Sequence, residues 1–298
     1  VSLLRRAVSA LIVIWLAVSL AFVTLRAFPG DAVNDTLGRG GASDEAIHMR
    51  RHTLGLDRPL RVQYADYLAD LVRGDLGVSL ISQQPVWDII QQNAGPTLVL
   101  AFSALLIAMM AGVSLGLMAG IAPWWPVRAS AEGVLSLALS TPVYWTATLA
   151  IYFFTIIFPV NGDFRHLILP ALVLGFHTAG SIAQVTATSV RESAQQDYVR
   201  TARAKGLPDW DVLDHILRVG LLPVVAVIAL QLGFLLGGTV ITETIFVRRG
   251  LGRVLINAVN TRDYPVIQGL VVLSAIVYTV IHFLADTLYR ILDPRVEV

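Results

Sequence analysis

Six long stretches almost free of charge constrain this chain more than any other feature. They are Ala7–Ala27, Thr97–Ala122, Gly133–Val160, Leu167–Val190, Val219–Thr242 and Pro265–Ala285. A helix rises ~1.5 Å per residue, so a hydrocarbon core ~30 Å thick takes about 20 apolar residues. Each stretch is long enough to cross, and the charges are confined to the segments between them. The chain carries 14% charged residues where a soluble domain has roughly a quarter. An all-α membrane protein with about six spanning helices is predicted. Arg26 alone interrupts the first stretch, near its end, where its side chain is expected to reach the interface. The Arg5-Arg6 start resembles a signal peptide, but the apolar run is longer than an h-region and no A-x-A site follows. It reads as a retained span. Pro142 is expected to kink the third span.

Several function classes fall away on composition. Formal net charge is +1, so no basic field points to nucleic acid. Cysteine is absent, which excludes disulfides and thiolate chemistry. A phosphate-cradling loop needs a lysine followed by Ser or Thr, whereas the single lysine, Lys205, precedes Gly206. The spans as drawn contain no Asp or Glu; Glu132, Glu243 and Asp286 lie at their edges. That disfavours a proton-coupled carrier. Six histidines, only His48 and His52 of them close in sequence, make a metal site weak. No metal site and no cofactor on this chain are expected.

Charge does not decide orientation, because basic residues divide almost evenly between the two sets of loops. Residues 28–96 are too long to count, yet they are not featureless. Arg61–Arg73 reads as a helix with Val62, Ala65, Leu68 and Leu71-Val72 on one side. Gly74-Asp75-Leu76-Gly77 reads as a turn, and Pro85–Ile90 as a short interfacial helix carrying Trp87. Such a loop is either a lid on the membrane domain or a platform for an external partner.

Residues 191–218 differ in kind. A polar helix ends at Gly206, a natural C-terminal cap, and Leu207-Pro208-Asp209 turns the chain. Asp209 can cap a second helix with Trp210, Leu213 and Ile216-Leu217 on one side. Small residues at Ala202, Ala204 and Gly206 leave room for another protein's surface.

The run Tyr198-Val199-Arg200-Thr201-Ala202-Arg203-Ala204-Lys205-Gly206-Leu207, followed by His215-Ile216-Leu217-Arg218 and Leu222-Pro223, resembles the EAA-loop of ATP-binding-cassette importer permeases. Five further blocks narrow the resemblance to the dipeptide/oligopeptide/nickel permeases, and to the first of their two permease subunits. They are Leu54-Gly55-Leu56-Asp57-Arg58-Pro59-Leu60, Gly74-Asp75-Leu76-Gly77-Val78-Ser79, Glu243-Thr244-Ile245-Phe246, Arg262-Asp263-Tyr264-Pro265 and Leu292-Asp293-Pro294-Arg295. Departures from the family pattern stand at Ala32, Val219-Gly220 and Arg249.

The resemblance implies a channel-forming subunit of an ATP-driven importer for peptides or similar small solutes, nickel included. ATP and Mg would bind partner subunits. It implies a cytoplasmic N-terminus, residues 1–27 as the first span, 28–96 as an external loop, 97–290 as the permease core and 291–298 as a cytoplasmic tail. The implied partners are a second permease, two ATP-binding subunits, an external substrate-binding protein and the bilayer. Arg200, Thr201, Ala202, Arg203, Ala204, Lys205, Gly206, Leu207, His215 and Arg218 become the candidate ATPase-coupling residues.

His177, Gln184, Gln231 and Thr239 are candidates for the translocation path, since polar side chains in spans face the bundle interior. Gly233, Gly237 and Gly238 suit a close helix crossing. His177 and Ser181 share a helix face, which raises the alternative of an intramembrane hydrolase, though no oxyanion-hole signature accompanies them. An autonomous channel or secondary transporter is the other alternative.

Overall fold

The structure is a computed structural model that describes residues 3–27, 44–53, 55, 57–157, 162 and 164–292. The blocks around Ala32, Leu54 and Leu56, and the Asp293-Pro294-Arg295 tail, lie outside these residues. The described residues form α1 (Leu3–Ala27), α2 (Asp44–Thr53), α3 (Leu60–Val72), α4 (Val86–Ile121), α5 (Trp125–Ser140), α6 (Val143–Tyr152), α7 (Leu169–Ala194), α8 (Asp197–Ala204), α9 (Asp209–Gly220), α10 (Leu222–Ile245), α11 (Leu251–Thr261) and α12 (Tyr264–Leu292). Two π-helical turns, Phe153–Ile157 and Phe164–Ile168, separate α6 from α7.

Five described helices are long and apolar enough to cross a membrane, and α5 with α6 make a sixth span if the pair is counted as one. That pair is bent by 102°. Pro142 therefore does more than kink its span: α5 stops at Ser140, Thr141 is extended, and α6 restarts after the proline. The expected interfacial helix at Pro85–Ile90 is the first turns of the 36-residue α4 instead. Pro96 within α4 hid this continuity.

The chain packs as two compact units, residues 1–95 with 249–279, and 96–248 with 280–298. In the first unit Val86 and Ile90 of α4 pack with Ala258 of α11 and Val266, Ile267 and Leu270 of α12. Two of the sequence blocks meet here. Gly74 and Gly77 adopt φ +79° and +80°, which only glycine takes without strain. The Asp75 carboxylate accepts the Gly77 N–H at 2.8 Å, and Gly77 O accepts the Val86 N–H at 3.0 Å. The tight loop so formed presents Ser79 Oγ and the Leu80 N–H to the buried Asp263 carboxylate, at 2.5 and 3.0 Å. The Gly74–Ser79 block is thus stapled to the start of α12.

Helix α3 forms as expected, but the side turned inward is Gln63, Tyr64, Tyr67, Leu68 and Leu71, leaving Val62, Ala65 and Val72 exposed. The reason is aromatic: Phe22 of α1 stacks on Tyr67 at 5.6 Å and tilts against Tyr64 at 5.3 Å. Arg26 packs against its neighbours. Its Nε donates to Gln63 Oε1 at 3.0 Å, and its guanidinium lies over Phe22 and Tyr264 at 4.9 and 5.5 Å.

The second unit is built on α7, the most enclosed span. Leu100, Ala101 and Ala104 of α4 pack with Ala171 and Leu174 of α7 and Leu235 of α10. A close crossing of α4 on α7 is made at glycines of α4. A Cβ on Gly116 would stand 2.4 Å from Thr186 Cβ and 2.7 Å from Ala183 O; Gly112 and Gly120 meet α7 almost as tightly. Gly238 makes only an ordinary contact, 3.5 Å to Leu174.

Candidate functional site

The α8–α9 hairpin grows out of the end of α7. Val199 and Ala202 of α8 and Val212 and Ile216 of α9 are buried against Val190 of α7, with Leu117 and Ile121 of α4 at the margin. Ser193 Oγ donates to Ile216 O at 2.9 Å and pairs with the Tyr198 hydroxyl. A Cβ on Gly220 would stand 3.0 Å from Val190 Cα, so α9 crosses α7 closely at one of the departures from the family pattern. The hairpin's inner face is therefore fixed to the spans.

Its connection is a Schellman cap. Gly206 N–H donates to Arg203 O at 3.0 Å and Leu207 N–H to Ala202 O at 3.3 Å, with Gly206 at φ +72°. Asp209 does not cap α9 through its side chain; Pro208 occupies that position and Asp209 lies in the first turn, where its charge suits the helix N-terminus. Of the ten residues singled out, Arg200, Thr201, Arg203, Ala204, Lys205, Gly206, His215 and Arg218 are exposed, and Leu207 is half-buried. Ala202 is not part of that outer surface: it is buried in the hairpin core. Trp210 is not on the packed side either, being 79% exposed. Nothing lies within 4 Å of a Cβ built on Gly206. Arg200 pairs with Asp197 at 3.5 Å and Arg218 with Asp214 at 2.7 Å along their own helices. Arg191 ties the base of the hairpin to the spans, donating to Ala119 O at 2.8 Å and to Glu132 Oε1 at 3.1 Å.

The four path candidates do not form one cluster. Gln184 is exposed, Gln231 half-buried, and Thr239 fully enclosed with its hydroxyl donating to Leu236 O at 2.9 Å. Thr239 lines no open surface in this conformation. His177 is half-buried beside the α5–α6 break. Its Nδ1 lies 3.0 Å from Ala138 O and so must donate, and its Nε2 lies 2.7 Å from Thr146 Oγ1. Both ring nitrogens are engaged, which leaves no general base for Ser181. His177 instead takes up a carbonyl from the last turn of α5 where the break interrupts the helix.

One residue's surroundings were not legible in sequence. Glu243 sits in the last turn of α10, at the span's edge as expected, yet it is 0% exposed and accepts from Thr97 Oγ1 at 2.6 Å. Arg248 donates its N–H to Glu243 O at 2.8 Å. Burial pushes the Arg248 guanidinium below its ordinary range, and the Glu243 charge opposes that shift. The Glu243-Thr244-Ile245-Phe246 block thus holds a buried polar anchor between α4 and the end of α10. Among the described residues no group of three or more His, Asp or Glu is placed to hold a metal.

Residues 112–298 match the family described as "Binding-protein-dependent transport system inner membrane component", and residues 2–101 match the N-terminal component of the same systems. The chain belongs to this family. It is a channel-forming permease subunit of an ATP-driven importer, a multi-pass protein of the inner membrane, and ATP hydrolysis resides in separate subunits. Similar proteins include the glutathione transport system permease GsiC of Escherichia coli (strain K12), 37% identical over 287 residues, covering 93% of this chain and 92% of GsiC. A chain of Brucella suis biovar 1 (strain 1330), whose name assigns it provisionally to the peptide permeases, is 38% identical over 297 residues, covering 94% and 93%. Among solved structures, the MetNI methionine ABC transporter in its inward-facing form aligns with TM-score 0.59 at 18% identity, over 68% of this chain and 96% of that one. An amino acid ABC transporter with histidines aligns with TM-score 0.55 at 18% identity, over 70% and 94%. These two carry the fold alone.

Proposed function

We propose that this permease couples ATP hydrolysis to uptake through the α8–α9 hairpin, and that its cargo is a peptide or a similar small solute. One observation carries the coupling reading. The hairpin's inner face is buried against α7 and α4, while Arg200, Thr201, Arg203, Ala204, Lys205 and Gly206 stand exposed on its outer side. A rigid element with one face anchored and the other open can pass a displacement from a docked ATPase to the spans. The bond from Arg191 to Ala119 O, and its pairing with Glu132, spread that displacement over α4, α5 and α7.

In this reading the N-terminus is cytoplasmic and residues 28–96 face outside, toward a substrate-binding protein. The working assembly is this chain, a second permease and two ATP-binding subunits that carry ATP and Mg. The cargo reading is supported by the similarity to a glutathione permease and to a chain named among the peptide permeases. His177, Gln184 and Gln231 remain the side chains proposed for the path.

Gly206→Trp tests the coupling. Within this chain the new side chain meets open space, so its intrinsic cost is the left-handed backbone alone, about 1 kcal/mol. Gly206→Asn, which tolerates that backbone, is the control. The Trp variant is expected to insert and bind its companion permease normally, yet lose ATPase co-purification and uptake. Normal uptake by Gly206→Trp at normal membrane levels removes the coupling role from this hairpin.

A further inference from the structure

The open side of α7 is polar. From His177 to Thr188 only five residues reach the surface: His177, Ser181, Gln184 and Thr188, spaced four, three and four residues apart, and Val185, which is half-buried. That spacing places the four polar residues on one face of the helix, over about 16 Å. They differ from the polar groups turned inward. Thr178 and Thr186 are buried, and each hydroxyl donates to the carbonyl one turn earlier, Leu174 O at 3.0 Å and Ile182 O at 2.7 Å. Ser181, Gln184 and Thr188 bond to no other described residue. His177 closes the row, its ring held by Ala138 O and Thr146 Oγ1. Hydrogen-bonding groups left open in a span are costly against hydrocarbon, so this face does not meet lipid. An open face of α4 is the contrast: Leu98, Val99, Phe102 and Leu106 are all exposed and all apolar.

The row also lacks charge. No Asp, Glu, Lys or Arg lies on it, in α6, in residues 97–121 of α4, or in α10 before Glu243. Charge begins at Arg191 and Glu192, about one turn beyond Thr188, where Arg191 pairs with Glu132 at 3.1 Å. A permanent subunit interface is more apolar than this face. We propose that the row lines the cargo path as a charge-free set of hydrogen-bonding groups for the amides of a passing peptide, with Gln184 at its centre. A side-chain amide both donates and accepts, as do the Ser181 and Thr188 hydroxyls, which matches the N–H and C=O of a peptide backbone. The row therefore favours neither cationic nor anionic cargo. This inference rests on the importer reading.

The test is cysteine labelling in membranes holding the chain, its companion permease and the ATPases. The chain has no native cysteine. Ser181→Cys, Gln184→Cys and Thr188→Cys are compared with Phe102→Cys on the apolar face of α4. The probes are an anionic and a cationic methanethiosulfonate, each rate divided by that reagent's rate with a free thiol and read on this chain by mass spectrometry. A thiol in hydrocarbon stays protonated and inert, so the three row positions are expected to react at least about tenfold faster than Phe102→Cys. Both reagents are expected to react at similar normalised rates. In Ser181→Cys/Gln184→Glu a carboxylate stands one helical turn from the thiol and should shift the ratio toward the cationic reagent about tenfold. Row positions as slow as Phe102→Cys overturn the proposal. So does protection in the full complex with reaction in the chain expressed alone, which assigns the face to the companion permease. A preference of about tenfold or more for one sign without Gln184→Glu, or no shift with it, overturns the charge-free row. Labelling does not require the coupling hairpin, so a failure here is distinct from normal uptake by Gly206→Trp.

Discussion

Gly116→Ala, the addition of one methyl group, tests the central helix crossing. Its Cβ would lie 2.4 Å from Thr186 Cβ, 2.7 Å from Ala183 O and 2.8 Å from Thr186 Cγ2. Carbon atoms pack best at ~3.5–4.0 Å, so α4 and α7 must separate by about an ångström. A carbonyl and a β-carbon are fixed to the backbone and cannot swing aside, which places the overpacking cost near the top of the ~1–3 kcal/mol range. Alanine recovers about 0.8–1 kcal/mol of helix propensity over glycine. The net loss is therefore about 2 kcal/mol, and at ~2–4 °C per kcal/mol the midpoint falls by about 4–8 °C. Gly133→Ala on α5 is the control, since no atom lies within 4 Å of its new Cβ. It gains the propensity without the clash and is expected to hold or raise the midpoint. The assay is fluorescence-detected size exclusion after heating in detergent. A Gly116→Ala midpoint equal to that of Gly133→Ala would refute the crossing as described.

Three further outcomes are expected. Asp263→Asn places an amide against two donors, Ser79 Oγ and the Leu80 N–H, at a site only 4% exposed; about 2 kcal/mol is lost locally, and hydrogen exchange should quicken across residues 74–85 but not in α8–α9. Burial and the neighbouring Tyr64 push the Tyr67 phenol up to about 12, against an unfolded value near 10. The folded state then holds the proton longer, so this contribution is intact below pH ~10 and declines between about 10 and 12. Tyr67→Phe should abolish that decline in a tyrosinate absorbance titration, and it should not destabilise at neutral pH because Oη is buried without a partner. The chain has no cysteine, so single cysteines report topology directly. Val72→Cys, 89% exposed, should react with an impermeant thiol reagent from the outer side and Asp209→Cys should not; the reverse pattern overturns the proposed orientation.

The sequence by itself determined the membrane class, most span positions and the polar hairpin with its glycine cap, because these follow from local hydropathy and local backbone geometry. The α8–α9 turn was legible for that reason: Gly206 forms a cap within one helical turn of the residues that define it. Contacts distant in sequence were not legible. Asp263 bonds to residues more than 180 positions away, and neither block announces the other as its partner. Glu243 read as a span edge because its flanks are polar, yet Thr97 on another helix supplies the donor that lets it be buried. The glycines of α4 looked no different from those of α10; only the approach of α7 decides which of them a methyl group would break. Periodicity placed Leu68 and Leu71 on the packed side of α3 but also Val62, Ala65 and Val72, because stacking on Phe22 turns Tyr64 and Tyr67 inward. Hydropathy records what each residue prefers as surroundings, and tertiary packing decides which surroundings it receives.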